Sequence, residues 1–143
     1  MANELTQLTG SYASCQASTS TADGAVCGGA VTAIGTAIAS EDLYAMLDFK
    51  VANNSGTPTA GGTIDIYRRA GDGTDQADPP VYADHLHSYV GSVTFDNVAA
   101  TTHAYLYGVA NPDPNDTYYM VNEHGATLTI QLYVRGRTYQ PAA

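Results

Sequence analysis

The most constraining feature of this sequence is a strict alternation of apolar and polar residues in two separate segments. Residues 126–135 have an apolar residue at every second position: Ala126, Leu128, Ile130, Leu132 and Val134. Residues 42–52 repeat the pattern with Leu43, Ala45, Leu47, Phe49 and Val51. Successive side chains of a β-strand point to opposite faces, so each segment predicts a strand with one buried and one exposed face.

Four further segments carry shorter stretches of the same alternation. They are residues 62–69, 87–96, 102–109 and the short segment 118–122. Clusters of Gly, Pro, Asn and Asp separate them, and no segment between them has a clear helical pattern. Strands that follow one another in this way are typical of antiparallel sheets, because parallel strands need long, usually helical crossovers.

The predicted fold class is therefore all-β, an antiparallel β-sandwich of the jelly-roll-like kind. An immunoglobulin-like sandwich is the alternative, although its Cys-Trp-Cys pattern is absent and the chain has no Trp. The alternation predicts two sheets whose apolar faces pack together.

The N-terminal part of the chain carries a weaker signal. Residues 1–29 are mostly small and polar, and we expect an irregular, flexible N-terminal arm that precedes a single sandwich domain of residues 30–143. Within that domain, residues 30–39 fit either a helical stripe or a strand. Gly35 and the β-branched residues favour the strand.

Composition argues against several classes of function. The chain has 143 residues, with 14 Asp and Glu against 5 Lys and Arg, and a net charge of −9. This acidic balance argues against nucleic-acid binding, which normally needs a basic stripe. No apolar run is long enough to predict a membrane-spanning helix. Residues 1–5 lack the basic and apolar regions of a secretory signal, so we expect a cytosolic protein.

The two cysteines, Cys15 and Cys27, lie 12 positions apart. A cytosolic protein usually keeps its thiols reduced, which favours two small apolar side chains. A disulfide that closes the intervening loop is the alternative. A metal site is the weakest interpretation, because the spacing matches no Cys or Cys/His motif.

His85 and His87 form a pattern that suggests a metal. Two histidines at alternate positions of a strand share a face, which locally resembles the metal site of cupin-type jelly-roll enzymes. The carboxylate that should follow is missing, and His103 or His124 would complete the set only if the fold brought it close. We therefore interpret His85 and His87 as solvated or packed against tyrosine, and no metal is predicted.

The acidic loop of residues 70–80 contains Asp72, Asp75 and Asp78, whose spacing differs from that of an EF-hand calcium loop. A solvated loop is the simpler interpretation, and a weak calcium site is the alternative. The sequence also lacks a GxSxG nucleophile motif and a phosphate-binding loop. No catalytic residue and no cofactor are therefore predicted, and the chain is interpreted as non-enzymatic.

Tyrosine is unusually frequent, with 11 residues. It provides a large contact area at a low entropy cost and is enriched at protein interfaces. Tyrosine also occurs on ordinary sheet surfaces and stacks on sugar rings, so these two interpretations stay open. The candidate interface residues are Tyr12, Tyr105, Tyr107, Tyr118, Tyr119 and Tyr133.

The two ends of the chain carry a resemblance to a known family. The chain begins with MANELTQLTG, continues through a region rich in Ser, Thr, Ala and Gly, and contains little lysine. Its C-terminal half contains GVANPDPNDTYYMVNEHGATLTIQLYVRGRT, in which two strand-like stretches flank a Gly. In these features the chain resembles the small head-decoration, or cement, proteins of tailed bacteriophages and related virion structural proteins. It is similar to minor tail and fibre proteins nearly as well.

The resemblance implies a mechanical function. Such proteins bind the outside of a mature capsid, often as trimers, and clamp neighbouring subunits. The expected partners are the major capsid protein and further copies of the chain in a homotrimer, with no nucleic acid and no membrane. The expected location is the capsid exterior of the virion, after synthesis in the host cytoplasm. A tail, neck or fibre subunit and a carbohydrate-binding β-sandwich module are the alternatives.

Overall fold

The computed structural model describes residues 5–38, 46–69, 89–98, 102–110 and 113–141. The strands in these ranges are β1 (Leu5–Thr9), β2 (Ala13–Thr21), β3 (Met46–Ser55), β4 (Thr63–Arg69), β5 (Tyr89–Val93), β6 (Thr102–Ala110), β7 (Thr117–Glu123) and β8 (Leu128–Pro141). A single-turn helix, α1, covers Ile34–Ala37. In the described ranges no helix has the length and apolar character needed to cross a membrane.

The strands form two antiparallel sheets, which confirms the predicted all-β sandwich. In the larger sheet β8 lies beside β3, and β3 lies beside β6. The other edge of β8 pairs with β2 along residues 128–134 and with β1 along residues 137–141. The smaller sheet has the order β5–β4–β7.

The apolar faces of the two sheets pack together and form the core. Alternate residues of β3 and β8 are fully buried there: Leu47, Phe49, Val51, Leu128, Ile130, Leu132 and Val134. β4 adds Ile64 and Ile66 from the opposite sheet. The alternation assigned these residues to the buried face, and fully burying each such side chain contributes about 1.5–3 kcal/mol.

The limits of two predicted strands differ from the observed ones. The strand predicted at 87–96 is shorter, because regular pairing in β5 stops at Val93. The strand predicted at 126–135 extends to Pro141, where it pairs with β1. Leu43 and Ala45, which were predicted to share the buried face of β3, lie outside the described residues.

The N-terminal segment is not the irregular arm that the sequence predicted. Residues 5–9 and 13–21 are strands of the larger sheet, and Cys15, Gln16 and Thr21 are buried. The prediction is wrong because pairing with β8, and not local apolar content, holds this segment in the fold.

The strand predicted for residues 30–39 is also wrong, because residues 34–37 form a helical turn. The Ile34 N–H donates to the Asp116 carbonyl oxygen at 3.0 Å, and the Gly35 N–H donates to the Pro114 carbonyl oxygen at 2.7 Å. A Cβ atom on Gly35 would lie 2.8 Å from the Pro114 Cβ, so glycine permits this close approach. These tertiary contacts select the helical alternative.

Residues 22–33 cover one edge and the outer face of the smaller sheet. The Cys27 N–H donates to the Met120 carbonyl oxygen at 2.9 Å, so this segment pairs with the edge of β7. Val26 and Val31 pack on an apolar cluster on the outer side of the sheet, formed by Tyr67, Tyr119 and Val121. Strand β7 is therefore buried on both faces.

Gln16 ties this segment to both sheets. Its side-chain amide donates to the carbonyl oxygens of Cys27 at 3.0 Å and Gly29 at 3.2 Å. Its Oε1 accepts the Met120 N–H at 3.0 Å. Gln16 is fully buried, so these bonds replace the water contacts that burial removes.

Candidate functional site

The outward side of the larger sheet combines tyrosines with basic side chains. Phe49 and Val51 point into the core, so Lys50 between them points outward. The register places Lys50 opposite Tyr105 on β6 and opposite Tyr133 on β8. We call this surface the aromatic face, and its residues are Tyr12, Lys50, Tyr105, Tyr107, Tyr133 and Arg135.

Three tyrosines of the aromatic face are in contact. The rings of Tyr105 and Tyr107 are nearly parallel, with centroids 5.7 Å apart and an interplanar angle of 7°. The Tyr12 ring lies 6.2 Å from the Tyr105 ring at 52°. Tyr105 and Tyr107 are 45% and 58% exposed, so a partner can reach both rings. Their strand already fixes the backbone, which leaves little entropy to lose on binding.

Two basic side chains lie over the tyrosine rings. The Lys50 Nζ is 4.3 Å from the centroid of the Tyr133 ring and 5.2 Å from that of Tyr12. The Arg135 Cζ is 4.8 Å from the Tyr12 centroid. Cations within about 6 Å of a ring face are attracted by its negative quadrupole. Burial raises the pKa of Tyr12 to about 12, although Arg135 acts in the opposite direction.

Asp48 lies beneath the aromatic face and is fully buried. Its carboxylate accepts the Arg135 Nε–H at 3.0 Å and lies 3.0 Å from the Arg137 Nη2. It also accepts the Gly108 N–H at 3.1 Å. Two guanidinium groups and a backbone donor therefore satisfy a charge that would be costly to bury alone.

A β-bulge in β6 brings the Gly108 N–H to Asp48. Leu47 pairs with Val109 and Phe49 pairs with Leu106, so two residues of β6 oppose the single residue Asp48. Gly108 has a φ of +72°, a left-handed conformation that favours glycine.

The aromatic face carries an excess of positive charge on an acidic chain. Lys50, Arg135 and Arg137, three of the chain's 5 basic residues, lie on this side of the larger sheet, while Arg68 and Arg69 belong to β4. Among the residues of β1, β2, β3, β6 and β8, Asp48 is the only carboxylate. The charge carried by the described strands of the larger sheet is therefore opposite in sign to the net charge of −9.

The structure brings together four of the six candidate interface tyrosines and separates two. Tyr12, Tyr105, Tyr107 and Tyr133 belong to the aromatic face. Tyr118 and Tyr119 have no exposed surface. The expectation that they lie on an accessible strand face is wrong, because the core covers one side of β7 and residues 22–33 cover the other. Burial raises the pKa of Tyr118, with the Asp116 charge adding to the shift.

Sequence reasoning missed the basic members of this site. The alternation in residues 42–52 already put Asp48 and Lys50 on one face, and the alternation in residues 126–135 put Tyr133 and Arg135 on one face. Only the pairing of β3 with β8 shows that these two faces are continuous. The pairing register was the missing information.

Two clefts lie where β5 of one sheet approaches β6 of the other. One, of about 410 Å³, is lined by residues that include Arg68, Leu106 and Tyr107. The other, of about 470 Å³, is lined by residues that include Asp96 and His103. Between them the sheets are in close contact, since a Cβ on Gly91 would lie 2.7 Å from a Leu106 methyl carbon.

The residues considered as metal ligands do not assemble in the described part of the chain. His85, His87, Asp72, Asp75 and Asp78 lie outside the described residues. Within the described ranges, no group of three or more His, Cys, Asp or Glu side chains has a geometry that could hold a metal ion.

The His124 ring makes hydrogen bonds to the backbone within the fold. Its Nε2 accepts the Phe95 N–H at 3.0 Å, so Nδ1 carries the proton and donates to the Thr59 carbonyl oxygen at 2.9 Å. His124 is fully buried and stacks on Phe95 with ring centroids 5.5 Å apart. Both ring nitrogens are therefore engaged within the fold.

Cys15 and Cys27 are both free thiols, and both are fully buried in the core. Burial raises the pKa of Cys15, which keeps this thiol protonated. The structure therefore has the two reduced cysteines that the sequence favoured.

No known protein-family model matches this chain, and no curated protein sequence matches it. The fold and the site define it as an antiparallel β-sandwich with one aromatic, basic face on an acidic chain.

Proposed function

We propose that this chain is a non-enzymatic structural protein of a bacteriophage virion, a jelly-roll-like decoration protein of the capsid exterior. In this function it is made in the host cytoplasm, associates as a homotrimer, binds the major capsid protein and stabilises the shell. The observation that supports the proposal is the aromatic face, where partly exposed tyrosines and basic side chains are held on a sheet.

The chemistry of the aromatic face suits a protein interface. Tyr and Arg are enriched at interface positions whose truncation weakens binding most. Tyr105 and Tyr107 are each about half exposed, and Arg135 is held in place by Asp48. Side chains that are ordered before binding lose less entropy when a partner arrives.

The charge of the chain suits the outside of a shell. A net charge of −9 is repelled by packaged DNA, which favours an exterior location. A protein that binds only the assembled shell stabilises it by mass action, in proportion to the logarithm of its concentration over its dissociation constant. No catalytic step is needed for this function.

Localisation in particles tests the proposal directly. Intact particles from the system that encodes this chain would be purified on a density gradient and their proteins quantified by mass spectrometry. Copy numbers comparable to that of the major capsid protein are expected. A few copies per particle would instead indicate a tail, neck or fibre subunit, and absence from particles would reject the virion function.

A matched pair of variants tests the role of the aromatic face. Tyr105→Ala removes a ring of the aromatic face that is 45% exposed, and Tyr89→Ala removes a ring on the smaller sheet that is 53% exposed. Tyr105→Ala is expected to weaken binding to undecorated capsids about tenfold, with little change for Tyr89→Ala. Equal losses in co-sedimentation would contradict the assignment of the aromatic face.

A carbohydrate-binding module is the second candidate function. The near-parallel, exposed rings of Tyr105 and Tyr107 favour it, because aromatic rings stack on sugar rings. Binding on a glycan array that Tyr105→Ala abolishes would support this function over decoration. An array without binding would reject it.

A further inference from the structure

We infer that the aromatic face binds the carboxylate side chains of an acidic segment on a partner protein, with Lys50 and Arg135 as the receiving cations. This inference rests on the proposed protein-binding function and adds the chemistry of the partner. It is carried by three features of the described residues: an unpaired lysine, an arginine fixed by a buried carboxylate, and a local charge opposite to that of the chain.

Lys50 is held by aromatic rings and has no ionic partner within the described ranges. It is the only lysine of the chain, and its Nζ lies over the rings of Tyr133 and Tyr12. Among the described residues, no carboxylate lies within salt-bridge distance of it. The rings hold the ammonium group by cation–π attraction, which leaves its N–H donors for an incoming anion.

Arg135 is positioned for the same partner. Its Nε–H is used by Asp48, and its side chain keeps 25% of its surface exposed. A guanidinium has five N–H donors in a fixed plane, so the remaining donors can receive a second carboxylate. Both Lys50 and Arg135 lie about 5 Å from the centre of the Tyr12 ring, and the paired strands β3 and β8 place them on the same side of the sheet.

The balance of charge favours an acidic partner. Lys50, Arg135 and Arg137 carry three positive charges, and Asp48 neutralises one of them, which leaves an excess of two. The site spans β6, β3 and β8, a width of about 10 Å, which an extended segment of about three residues crosses. A segment with two or three carboxylates therefore matches the site in charge and in length.

An acidic protein segment fits better than a nucleic acid. Nucleic acids also stack on tyrosine and bind Arg and Lys, but they carry a phosphate on every nucleotide. Beyond the aromatic face, this chain has only three further basic residues against 14 acidic ones, which would repel a continuing phosphate backbone. An acidic protein segment can carry carboxylates along the length of the site and neutral residues beyond it.

Peptide binding to the full chain tests the inference. The probe is a short, labelled, glutamate-rich peptide, compared with its glutamine counterpart by fluorescence anisotropy at low and at physiological ionic strength. The glutamate peptide is expected to bind, to weaken as salt rises, and to bind more tightly than the glutamine peptide. Equal affinity for the two peptides would overturn the inference.

Two variants that each remove one positive charge locate the binding. Lys50→Gln alters the aromatic face, and Arg69→Gln alters β4 of the smaller sheet. Lys50→Gln is expected to weaken binding of the glutamate peptide at least about fivefold, and Arg69→Gln less than about twofold. A similar loss in both variants would overturn the site. Urea unfolding confirms that both variants are folded.

Two further measurements distinguish an acidic protein segment from a nucleic acid and from a second copy of the chain as the ligand of the site. Tighter binding of a labelled oligothymidine would assign the site to nucleic acid and overturn the inference. Self-association of the chain that Lys50→Gln abolishes, measured by analytical ultracentrifugation, would assign the site to a second copy and also overturn it.

Capsid binding that Lys50→Gln leaves intact would reject the acidic partner and keep the decoration function. Peptide binding without capsid binding would reject decoration and keep the inference.

Discussion

Asp48 lies on the polar side of an alternating strand, where the sequence pattern predicts exposure, yet it is fully buried. It is stabilised there because Arg135 and Arg137 both contact its carboxylate, and both guanidinium groups are mostly buried as well. Removing one member of such a network leaves the other charges without compensation, which costs more than the network contributes as a whole.

Replacing Asp48 tests this dependence. Asp48→Asn keeps the shape of the side chain but removes its charge, so the two arginines lose their ionic partner. We expect the free energy of unfolding to fall by about 3 kcal/mol in urea titrations. Asp96→Asn, at an exposed position, serves as the control and should change it very little. A loss as small as that of the control would show that water satisfies the arginines.

Tyr12 makes the stability of the folded chain depend on pH in the alkaline range. Its hydroxyl is buried without a hydrogen-bond partner among the described residues, and burial raises its pKa from 10.0 to about 12. Between these values the unfolded chain loses this proton while the folded chain keeps it, so stability falls as the pH rises. Tyr12→Phe should be as stable as the parent at neutral pH.

Tyr12→Phe should lose less stability than the parent chain when the pH rises from 10 to 12. Urea unfolding across this range measures the difference, and absorbance titration of tyrosinate in the folded protein measures the ionisation itself. Parallel curves for parent and variant would show that Tyr12 ionises normally in the folded state.

At the scale of elements, the strands that alternate strictly were predictable and the N-terminal strands were not. β3 and β8 keep a period of two because one side packs on the core and the other forms the aromatic face. In β2, two register shifts bury the adjacent residues Cys15 and Gln16, and a period of two cannot encode that. Its sequence is also small and polar, so its burial depends on β8.

The candidate site was predictable in part for the same reason. The tyrosines on alternating strands, such as Tyr105 and Tyr133, were found because their strands have one exposed side. Tyr118 and Tyr119 were misplaced because residues 22–33 cover the outer side of β7, and nothing local in β7 indicates that cover. Long-range pairing determines which strand faces stay open.

The adjacent glycines Gly28 and Gly29 test how closely residues 22–33 pack on β2. A Cβ on Gly29 would collide with the Ala17 carbonyl oxygen, whereas a Cβ on Gly28 would meet no atom within 4 Å. Gly29→Ala is expected to lower the free energy of unfolding by about 2–3 kcal/mol. Gly28→Ala should leave it unchanged or raise it by up to about 1 kcal/mol.

Reaction of Cys27 with a thiol reagent gives a second measurement on these variants. Cys27 is a fully buried residue of this segment, two positions before Gly29, so Gly29→Ala should increase its rate of modification and Gly28→Ala should not. Equal stabilities and equal thiol rates in the two variants would show that the segment shifts to accommodate a methyl group.

At the scale of the whole molecule, the two sheets are joined differently at their two sides. On one side, Gln16 and residues 24–27 hydrogen-bond β2 to β7. On the other side, β5 and β6 approach through Gly91 and Leu106, and each pairs with one neighbouring strand in the described part of the chain. Unpaired edges invite further strand pairing, and the bulge at Gly108 and the shortness of β5 oppose it.

Two nested truncations test how far the fold depends on its N-terminal strands. Deleting residues 2–9 removes β1, which in the described part of the chain pairs with residues 137–141 of β8. Deleting residues 2–21 also removes β2, with buried Cys15, Gln16 and Thr21, and uncovers the edge of β8. We expect the first variant to fold with reduced stability and the second to remain unfolded.

Near-UV circular dichroism and the cooperativity of urea unfolding distinguish these outcomes, because both report fixed tertiary packing. Adding a synthetic peptide of residues 2–21 to the longer truncation should restore the near-UV signal, since the peptide supplies β1 and β2. Cooperative unfolding of the longer truncation without the peptide would show instead that these residues are the dispensable arm that their composition suggests. It would also show that residues 22–143 form a stable fold without them.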